Sequence, residues 1–506
     1  MAFEQETPKS TAKPGSIMAF LDNYFHISER KSNLGIEIMA GLTTFMTMAY
    51  IIILNPTILT PIDPKTGLVM TGLNFNLVFV GTCIAAAFAT LLMGLYAKYP
   101  FALASGMGLN SVVTYGLIIT MGLTWQQAMG IIVLEGIVIT LLVLTNLREL
   151  VFNAIPKSLK LAIGAGIGLF IAYIGFMDTG IMVANPNTLI QIGNLTSPVV
   201  LIALFTVIAI MAMMAMKIRG SILYGIILGT VVALVLCLVA NSMGYAFNAY
   251  GIFGGPSIIE KMPATGYTSN IPSGLTAQIV AIPDIGAFVN VISQVVQAIP
   301  QDLKLSLIPV ILAIMMVDFF DTMGTVVAVG EKGNLLDKNG KLPGKGLFRV
   351  LLVDSVAAIG GGLSGASSVT TYVESSSGVS AGGRTGLVSV VVGLLFLVAL
   401  FLVPLGYFFP TAAAAPALII VGYLMITSVK DIAWDAIEDA LPAFLTISAM
   451  VFTFSISKGV GVGFISYCLI KTVSGKWKEV HPLMWLVAFI FALYFLYISV
   501  WGVSGL

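Results

Sequence analysis

A chain of 506 residues with 58% apolar and only 9% charged side chains, at a mean hydropathy of +1.01, departs from water-soluble chains, in which about 25% of residues are charged. It reads as a multi-span membrane protein. The runs IIVLEGIVITLLVL and LIALFTVIAIMAMMAM are continuously apolar and do not alternate every second residue, so the spans are helices, which excludes an outer-membrane barrel and a soluble enzyme. A net charge of +1 with no basic stripe among aromatics gives no case for nucleic acid.

The chain opens on a polar tail, MAFEQETPKSTAKPGS, with no apolar core or cleavage signature, which is expected to be a cytosolic terminus and not a signal peptide. Apolar segments follow near 34–55, 74–97, 105–121, 126–146, 159–177, 197–216 and 220–241. Between 242 and 305 lies the one long polar-to-amphipathic stretch. Further segments fall near 306–329, 347–363, 366–381, 386–404, 411–428, 439–457, 459–473 and 483–503. Several of these have roughly 15 residues, fewer than the ~20 that a helix needs to span unaided.

Placing alternate loops in the cytosol leaves only Lys65, Lys261, Lys304 and Lys458 of the 24 basic residues outside, as the positive-inside rule asks. Seven spans before the long loop make the second half start from the opposite side, so inverted repeats are expected. The expected division is a tail 1–32, a first repeat 33–241, an extracytoplasmic loop 242–305 and a second repeat 306–506, in the cytoplasmic membrane with the N-terminus inside. The segments number fifteen. Taking 439–457 and 459–473 as one broken helix or a short hairpin that does not fully cross reduces them to fourteen.

Cys83, Cys237 and Cys468 sit apart in apolar sequence, without metal or disulfide spacing, and read as buried thiols. The only histidines, His26 and His481, flank the first and last spans, so a histidine-bound metal is not expected. With no GxxxxGK[ST], uphill work must draw on an ion gradient, so a channel or a secondary transporter is favoured.

SGMGLNSVVTY at 105–115 and SGASSVTTY at 364–372 are both rich in small residues, short, and third in their half. Chance likeness between small-residue membrane segments would explain this blandly. Short, Gly-interrupted segments in matching positions are also how transporters expose backbone at the midplane, and the binding site is placed there. Glu135, Asp318, Asp321, Asp354 and Glu374 lie far from the segment ends. Each would cost about 2.5–3.5 kcal/mol in lipid, so they must face a polar interior. Apart from Arg349 at the start of segment nine, no Lys, Arg or His lies within those segments, which leaves protonation, hydrogen bonding or a bound cation. A carboxyl group withdrawn from water favours its protonated form, so proton coupling is the natural reading, with ordinary hydrogen bonding to a neighbouring helix the bland one. Asp318 and Asp321, three apart, share a helical face.

GLTTFMTMAYIIILNP at 41–56, GMGLNS at 106–111, VDFFDTMGTVVAVGEK at 317–332 and SSVTTYVESSSGVSAGGRTGL at 367–387 resemble signatures of the nucleobase:cation symporter-2 superfamily, in its azaguanine-like purine permease branch. The resemblance implies an all-α polytopic fold of seven plus seven inverted helices. Its core domain comprises segments one to four and eight to eleven, and its gate domain segments five to seven and twelve to fourteen. Short strands in segments three and ten would cross near the midplane. It further implies that Asp321 and Glu374 hold a purine nucleobase, that Asp354 carries proton movement together with Glu374 and Asp318, and that Asn110, Tyr372, Val373, Ser375 and Phe45 line the site. The proton is the coupling ion and no other cofactor is expected. The bilayer is the surrounding partner, and a homodimer is left open.

The chemistry fits independently. A carboxylate accepts adjacent N–H groups on a purine edge, while amides at a half-helix start, here Ser375, Ser376 and Ser377 after Glu374, are expected to remain free for ring nitrogens or a carbonyl. Phe45, Tyr50, Phe319, Phe320 and Tyr372 could stack on the base or simply pack, with Tyr372 and Phe45 favoured by their polar neighbours. AGGRTG, closing segment ten, reads as a cytosolic helix end with no binding role. Two alternatives stand beside this reading. One is an anion exchanger or channel on the same fold, which would gain little from midplane acids. The other is a membrane aspartyl hydrolase built on Asp318 and Asp321, although such a pair usually comes from two facing helices and no second Asp stands in a Gly-x-Gly-Asp setting.

Overall fold

The computed structural model describes residues 17–61, 68–145, 154–185, 187–242, 282–302, 307–337, 342–403 and 409–501. The tail to residue 16, residues 243–281 and 303–306 of the expected loop, and Lys65, Arg148, Lys261, Lys304, Lys338 and Lys341 lie outside the described residues, as do the side chains of Cys237 and Phe320.

The first half runs α1 (Ile17–Phe25), then α2 (Leu34–Met48) and α3 (Ile51–Leu59), which together make segment one. Segment two is α4 (Phe75–Leu92), prolonged by a π-helical turn to Ala97. Segment three is β1 (Leu103–Ser105), α5 (Met107–Ser111) and a π-helical stretch, Val112–Thr120. Segments four to seven are α6 (Trp125–Leu144), α7 (Lys157–Asp178), α8 (Pro198–Ala215) and α9 (Ser221–Ser242), with a hairpin of β2 (Met182–Asn185) and β3 (Leu189–Ile192) after α7. The second half begins with α10 (Ile285–Asp302) and continues with α11 (Ile308–Lys332) and α12 (Gly346–Leu363). Segment ten is β4 (Val369–Thr371) with α13 (Ser375–Ser380), followed by α14 (Gly386–Ala399), α15 (Thr411–Ala414) and α16 (Pro416–Ile426). The chain closes with α17 (Ile437–Phe452), α18 (Ile456–Val473) and α19 (Pro482–Trp501). Among the described residues nine helices are long and apolar enough to cross a membrane.

Polar side chains stand where spans begin. Asn33 accepts from Ile36 N–H, Asn74 accepts from Asn76 and Leu77 N–H, and Thr124 with Gln127 forms a capping box. Each satisfies amides that the hydrocarbon could not.

The helix pairs repeat between the halves. Segments five and twelve pack as α7 on α16, segments three and ten pair as β1 with β4, and the α6–α12 packing of segments four and nine is matched by the α4–α14 packing of segments two and eleven. Exchanging the halves maps each pair onto itself or onto the other, the relation that inverted repeats require. Small residues permit the closest of these approaches: a Cβ on Gly422 of α16 would meet the carbonyl oxygen of Gly168 and the Cβ of Ala172 on α7. The fold is a seven-plus-seven helical transporter fold.

The stretch 439–473 is a hairpin and not one broken helix. Phe454 turns the chain at φ 51°, Ser455 caps α18 by accepting from Lys458 N–H, and α18 runs back along α17 with Gly459 against Met450 and Gly463 against Thr446. Helix α19 follows separately, and the hairpin is the second of the two forms expected for this stretch. The β2–β3 hairpin was not anticipated either. Helix α10, in the stretch expected as a loop, packs on α6 through an apolar face of Phe288, Val291, Val295 and Ala298.

The AGGRTG run is anchored from segment one. Glu37, fully buried on α2, accepts Arg384 N–H on Oε1 at 2.9 Å and both the N–H and the hydroxyl of Thr385 on Oε2 at 3.1 and 2.7 Å. The amides opening α14 are thereby satisfied by a carboxylate from another helix.

Candidate substrate site at the strand crossing

Strands β1 and β4 pair antiparallel, Leu103 opposite Thr371, Ala104 opposite Thr370 and Ser105 opposite Val369, and all six residues are buried. The ladder extends through Gly106 N–H to Ser368 O and Tyr372 N–H to Ala102 O, each 2.9 Å. Side chains lock the crossing. The Ser375 hydroxyl accepts Ala102 N–H at 2.9 Å, the Tyr372 hydroxyl donates to Ser105 O, and Asn55 Nδ2 donates to Thr82 Oγ1 at 2.8 Å and to Ala366 O at 3.1 Å. Two expected site residues, Tyr372 and Ser375, thus commit their polar atoms to the crossing itself.

Glu374 stands where β4 passes into α13, partly exposed. Tyr50, at the break between α2 and α3, donates to Glu374 Oε1 at 2.6 Å. The expectation that the first amides of α13 remain free is overturned: Ser375, Ser376 and Ser377 N–H donate to the carbonyls of Tyr372, Val373 and Glu374 at 3.1, 2.9 and 2.9 Å. The chain tightens into a turn as it leaves the strand, so these amides are used internally. The recognition chemistry at this end of α13 therefore falls to the carboxylate.

Asp354 lies fully buried on α12, behind the crossing. Its Oδ1 accepts Thr371 N–H at 3.1 Å and the Thr371 hydroxyl at 2.9 Å, and its Oδ2 accepts the Thr322 hydroxyl at 2.7 Å. Thr322 Oγ1 is in turn 2.9 Å from Thr370 Oγ1. Asp354 therefore ties α12 to β4 and to α11.

Asp321, next to Thr322, is partly exposed and lies within electrostatic reach of both Asp354 and Glu374. Tyr50 and Tyr372 share this neighbourhood. Along α11, Asp321, Gly324, Ala328 and Glu331 recur at helical spacing; Asp321 is partly exposed and the other three exposed, and a Cβ on Gly324 would meet nothing within 4 Å. Val373, 50% exposed, marks an open surface on segment ten as well. Asp318, one turn away, is fully buried instead. Asn110 on α5 is also fully buried, and its amide nitrogen and oxygen have no hydrogen-bond partner among the described residues. Phe45 is partly buried, its ring set edge-on to Phe396 with centroids 5.3 Å apart, and it serves as packing on that side. Glu135, on α6, is fully buried within the helix packing.

The exposed stripe leads toward the Lys332 end of α11. An aromatic cluster stands at the opposite end. Phe454, at the tip of the α17–α18 hairpin, packs edge-on against Tyr115, Phe170 and Tyr173, at 5.8, 5.1 and 5.6 Å. Tyr115, in the π-helical part of segment three, donates to the Asp178 carboxylate at the end of α7, with oxygens 3.2 and 3.3 Å away.

Tyr50 entered the sequence reading only as an aromatic, and Glu37, Thr322 and Thr371 did not enter it. A hydroxyl or carboxylate within an apolar run is the one signal each carried; its partner lies in a distant segment, 324 residues away for Tyr50 and Glu374.

The chain matches the Xan_ur_permease model, described as Permease family, over residues 35–462. It is 38% identical over 480 residues to the guanine/hypoxanthine permease PbuG of Bacillus subtilis, covering 95% of this chain and 100% of that protein. It is 39% identical over 481 residues to the adenine permease AdeP of Escherichia coli, covering 95% and 96%. Among solved structures, the transmembrane domain of a cyanobacterial bicarbonate transporter, BicA, aligns with a TM-score of 0.54 at 16% identity, covering 85% of this chain and 97% of that one, a likeness of fold alone. A family model spanning most of the chain and relatives matched over nearly their whole length place this protein in the permease family of the nucleobase:cation symporter-2 superfamily.

Proposed function

We propose that the protein imports purine nucleobases, guanine and hypoxanthine or adenine, across the cytoplasmic membrane in symport with protons. The observation that carries this reading is the juxtaposition of Asp321 and Glu374 at the strand crossing, with Tyr50 holding Glu374. The printed names of the relatives, adenine and guanine/hypoxanthine permeases, support purines as the substrate class. Purines expose N–H groups along fixed edges, and two carboxylates on separate elements can accept them from different directions. The unpartnered Asn110 amide offers one donor and one acceptor to a ring edge that reaches it.

The exposed stripe on α11 and the aromatic cluster around Phe454, at opposite ends of the helices, support an alternating-access cycle in which the site opens toward Lys332 in one state. With the N-terminus in the cytosol, that side is the cytosol. An anion would meet two carboxylates in the cleft, which argues against exchange of the kind a bicarbonate carrier performs.

Uptake of radiolabelled hypoxanthine, competed by a panel of purines and pyrimidines, tests the substrate class, and its collapse with a protonophore tests symport. Asp321→Asn and Glu374→Gln are each expected to abolish uptake. Competition by pyrimidines alone, or near-normal uptake by both variants, would contradict the proposal.

A further inference from the structure

The hydroxyl chain behind the crossing has a direction that its chemistry fixes. A threonine hydroxyl carries one proton, and an ionised carboxylate only accepts. With Asp354 ionised, the Thr322 proton is committed to Oδ2 at 2.7 Å. The 2.9 Å contact between Thr322 and Thr370 must then have Thr370 as donor. The chain runs Thr370 to Thr322 to Asp354.

A proton arriving on Asp354 Oδ2 displaces the Thr322 proton from that position. Thr322 must then accept from Asp354 and rotate its own proton toward Thr370, which changes from donor to acceptor. One proton enters, two hydroxyl groups rotate, and every other covalent bond stays as it was. Thr322 follows Asp321 directly in sequence, and Thr370 is the central residue of β4, opposite Ala104 of β1. The two hydroxyls of the chain therefore stand on α11, which carries Asp321, and on β4, which leads into Glu374.

We propose that Thr322 is a positioning residue for proton coupling: its hydroxyl relays the protonation state of Asp354 to β4 and to the α11 turn bearing Asp321. This rests on the proton-symport reading above. The ionisable groups on the elements around Asp354 are Asp318, Asp321, Glu331 and Lys332 on α11, Tyr372 and Glu374 after β4, Glu135 on α6, Cys83 on α4, and Tyr96 and Arg349 toward the Lys98 end. Among these only Asp321 adjoins Thr322 in the chain, so the hydroxyl that answers to proton occupancy at Asp354 lies on the helical turn that bears Asp321.

The test is made on the full-length protein in proteoliposomes, comparing Thr322→Val, Thr322→Ser and Thr370→Val with the parent. Three readouts are taken: equilibrium binding of labelled hypoxanthine, counterflow exchange without a gradient, and uptake under an imposed proton gradient in acidic and alkaline media. Thr322→Val is expected to keep binding and counterflow within about threefold of the parent, a loss under 1 kcal/mol. Its acid-to-alkaline uptake ratio should fall roughly tenfold, the factor carried by one unit of proton affinity. Thr322→Ser, which keeps the hydroxyl, should restore the ratio, and Thr370→Val should reproduce the loss from the other end.

A parent-like pH profile in both valine variants overturns the relay. So does loss of binding, exchange and pH response together in Thr322→Val and Thr370→Val, which would make the hydroxyls structural supports only. If uptake by the parent itself ignores pH and protonophore, proton symport fails and the relay fails with it; that outcome is read on the parent alone and cannot be confused with failure of the relay.

Discussion

The Tyr50 hydroxyl donates to Glu374 Oε1 at 2.6 Å, joining the break in segment one to the start of the half-helix in segment ten. Both residues sit where regular secondary structure is interrupted, and this bond ties the two breaks together. Glu374 presents one oxygen to Tyr50, and in the proposed site the other would accept from the purine. Tyr50 thereby acts as an orienting residue for the carboxylate.

Tyr50→Phe removes the hydroxyl and keeps the ring. A hydrogen bond to a charged group contributes ~1.5–3 kcal/mol, so hypoxanthine affinity should fall by roughly tenfold to a hundredfold. The loss should appear mainly in KM for uptake, with the protein still monodisperse in detergent. An unchanged KM would show that Glu374 is oriented by other means.

Glu37 satisfies two backbone amides and a hydroxyl at the start of α14. Glu37→Ala leaves these buried donors unpaired at about 1–3 kcal/mol each, so a loss on the order of 3 kcal/mol or more is expected. Thermal unfolding in detergent should report it as a clear drop in Tm. Glu37→Gln, which retains one acceptor but sets an amide group against an N–H, should fall between. A Tm equal to the parent's in Glu37→Ala would refute the capping role.

Where α7 and α16 touch, Gly422 lies against the backbone of Gly168, and an added Cβ would overlap its carbonyl oxygen. Backbone cannot yield as a side-chain tip can, so Gly422→Ala should force the helices apart, at a cost of about 1–3 kcal/mol or more. Reduced expression and early unfolding are the expected results, whereas Gly164→Ala on α7, whose Cβ would meet only Ser428 Oγ at 4.0 Å, should be tolerated. Equal stability of the two variants would count against tight packing at this pair.

The placement of the segments was legible because lipid imposes a length and a composition that capping residues such as Asn33, Asn74 and Thr124 then punctuate. The depth of Asp321, Asp354 and Glu374 could be read for the same reason, as charges where apolar residues are cheap. Partnerships could not be read. Nothing local to MAYIII says that Tyr50 meets Glu374, and nothing local to FFDTMG says that Thr322 meets Asp354. The free-amide expectation for Ser375–Ser377 failed because the composition of a helix start does not reveal whether the preceding strand turns tightly enough to use those donors itself. The hairpin at Phe454 was half legible: the two apolar runs were separable, but their antiparallel contact depends on Gly459 and Gly463 meeting Met450 and Thr446.

Tyr115 and Asp178 join segments three and five beside the Phe454 cluster. In the proposed cycle, with segment three in the core and segment five in the gate, this bond would span the surface that parts when the site opens the other way. Tyr115→Phe keeps the ring packing on Phe454 and removes only the hydroxyl, so this end should loosen without loss of fold. The shift in the opening equilibrium should be about 0.5–3 kcal/mol, the contribution of one hydrogen bond to a carboxyl group. It can be read by placing a cysteine at Gly116, partly buried in the cleft that Phe454 lines, in a background where Cys83, Cys237 and Cys468 are replaced. Labelling by a membrane-impermeant maleimide from the side opposite the N-terminus should be at least severalfold faster with Tyr115→Phe than without it. Equal rates in the two backgrounds would mean that the aromatic cluster alone keeps this end shut.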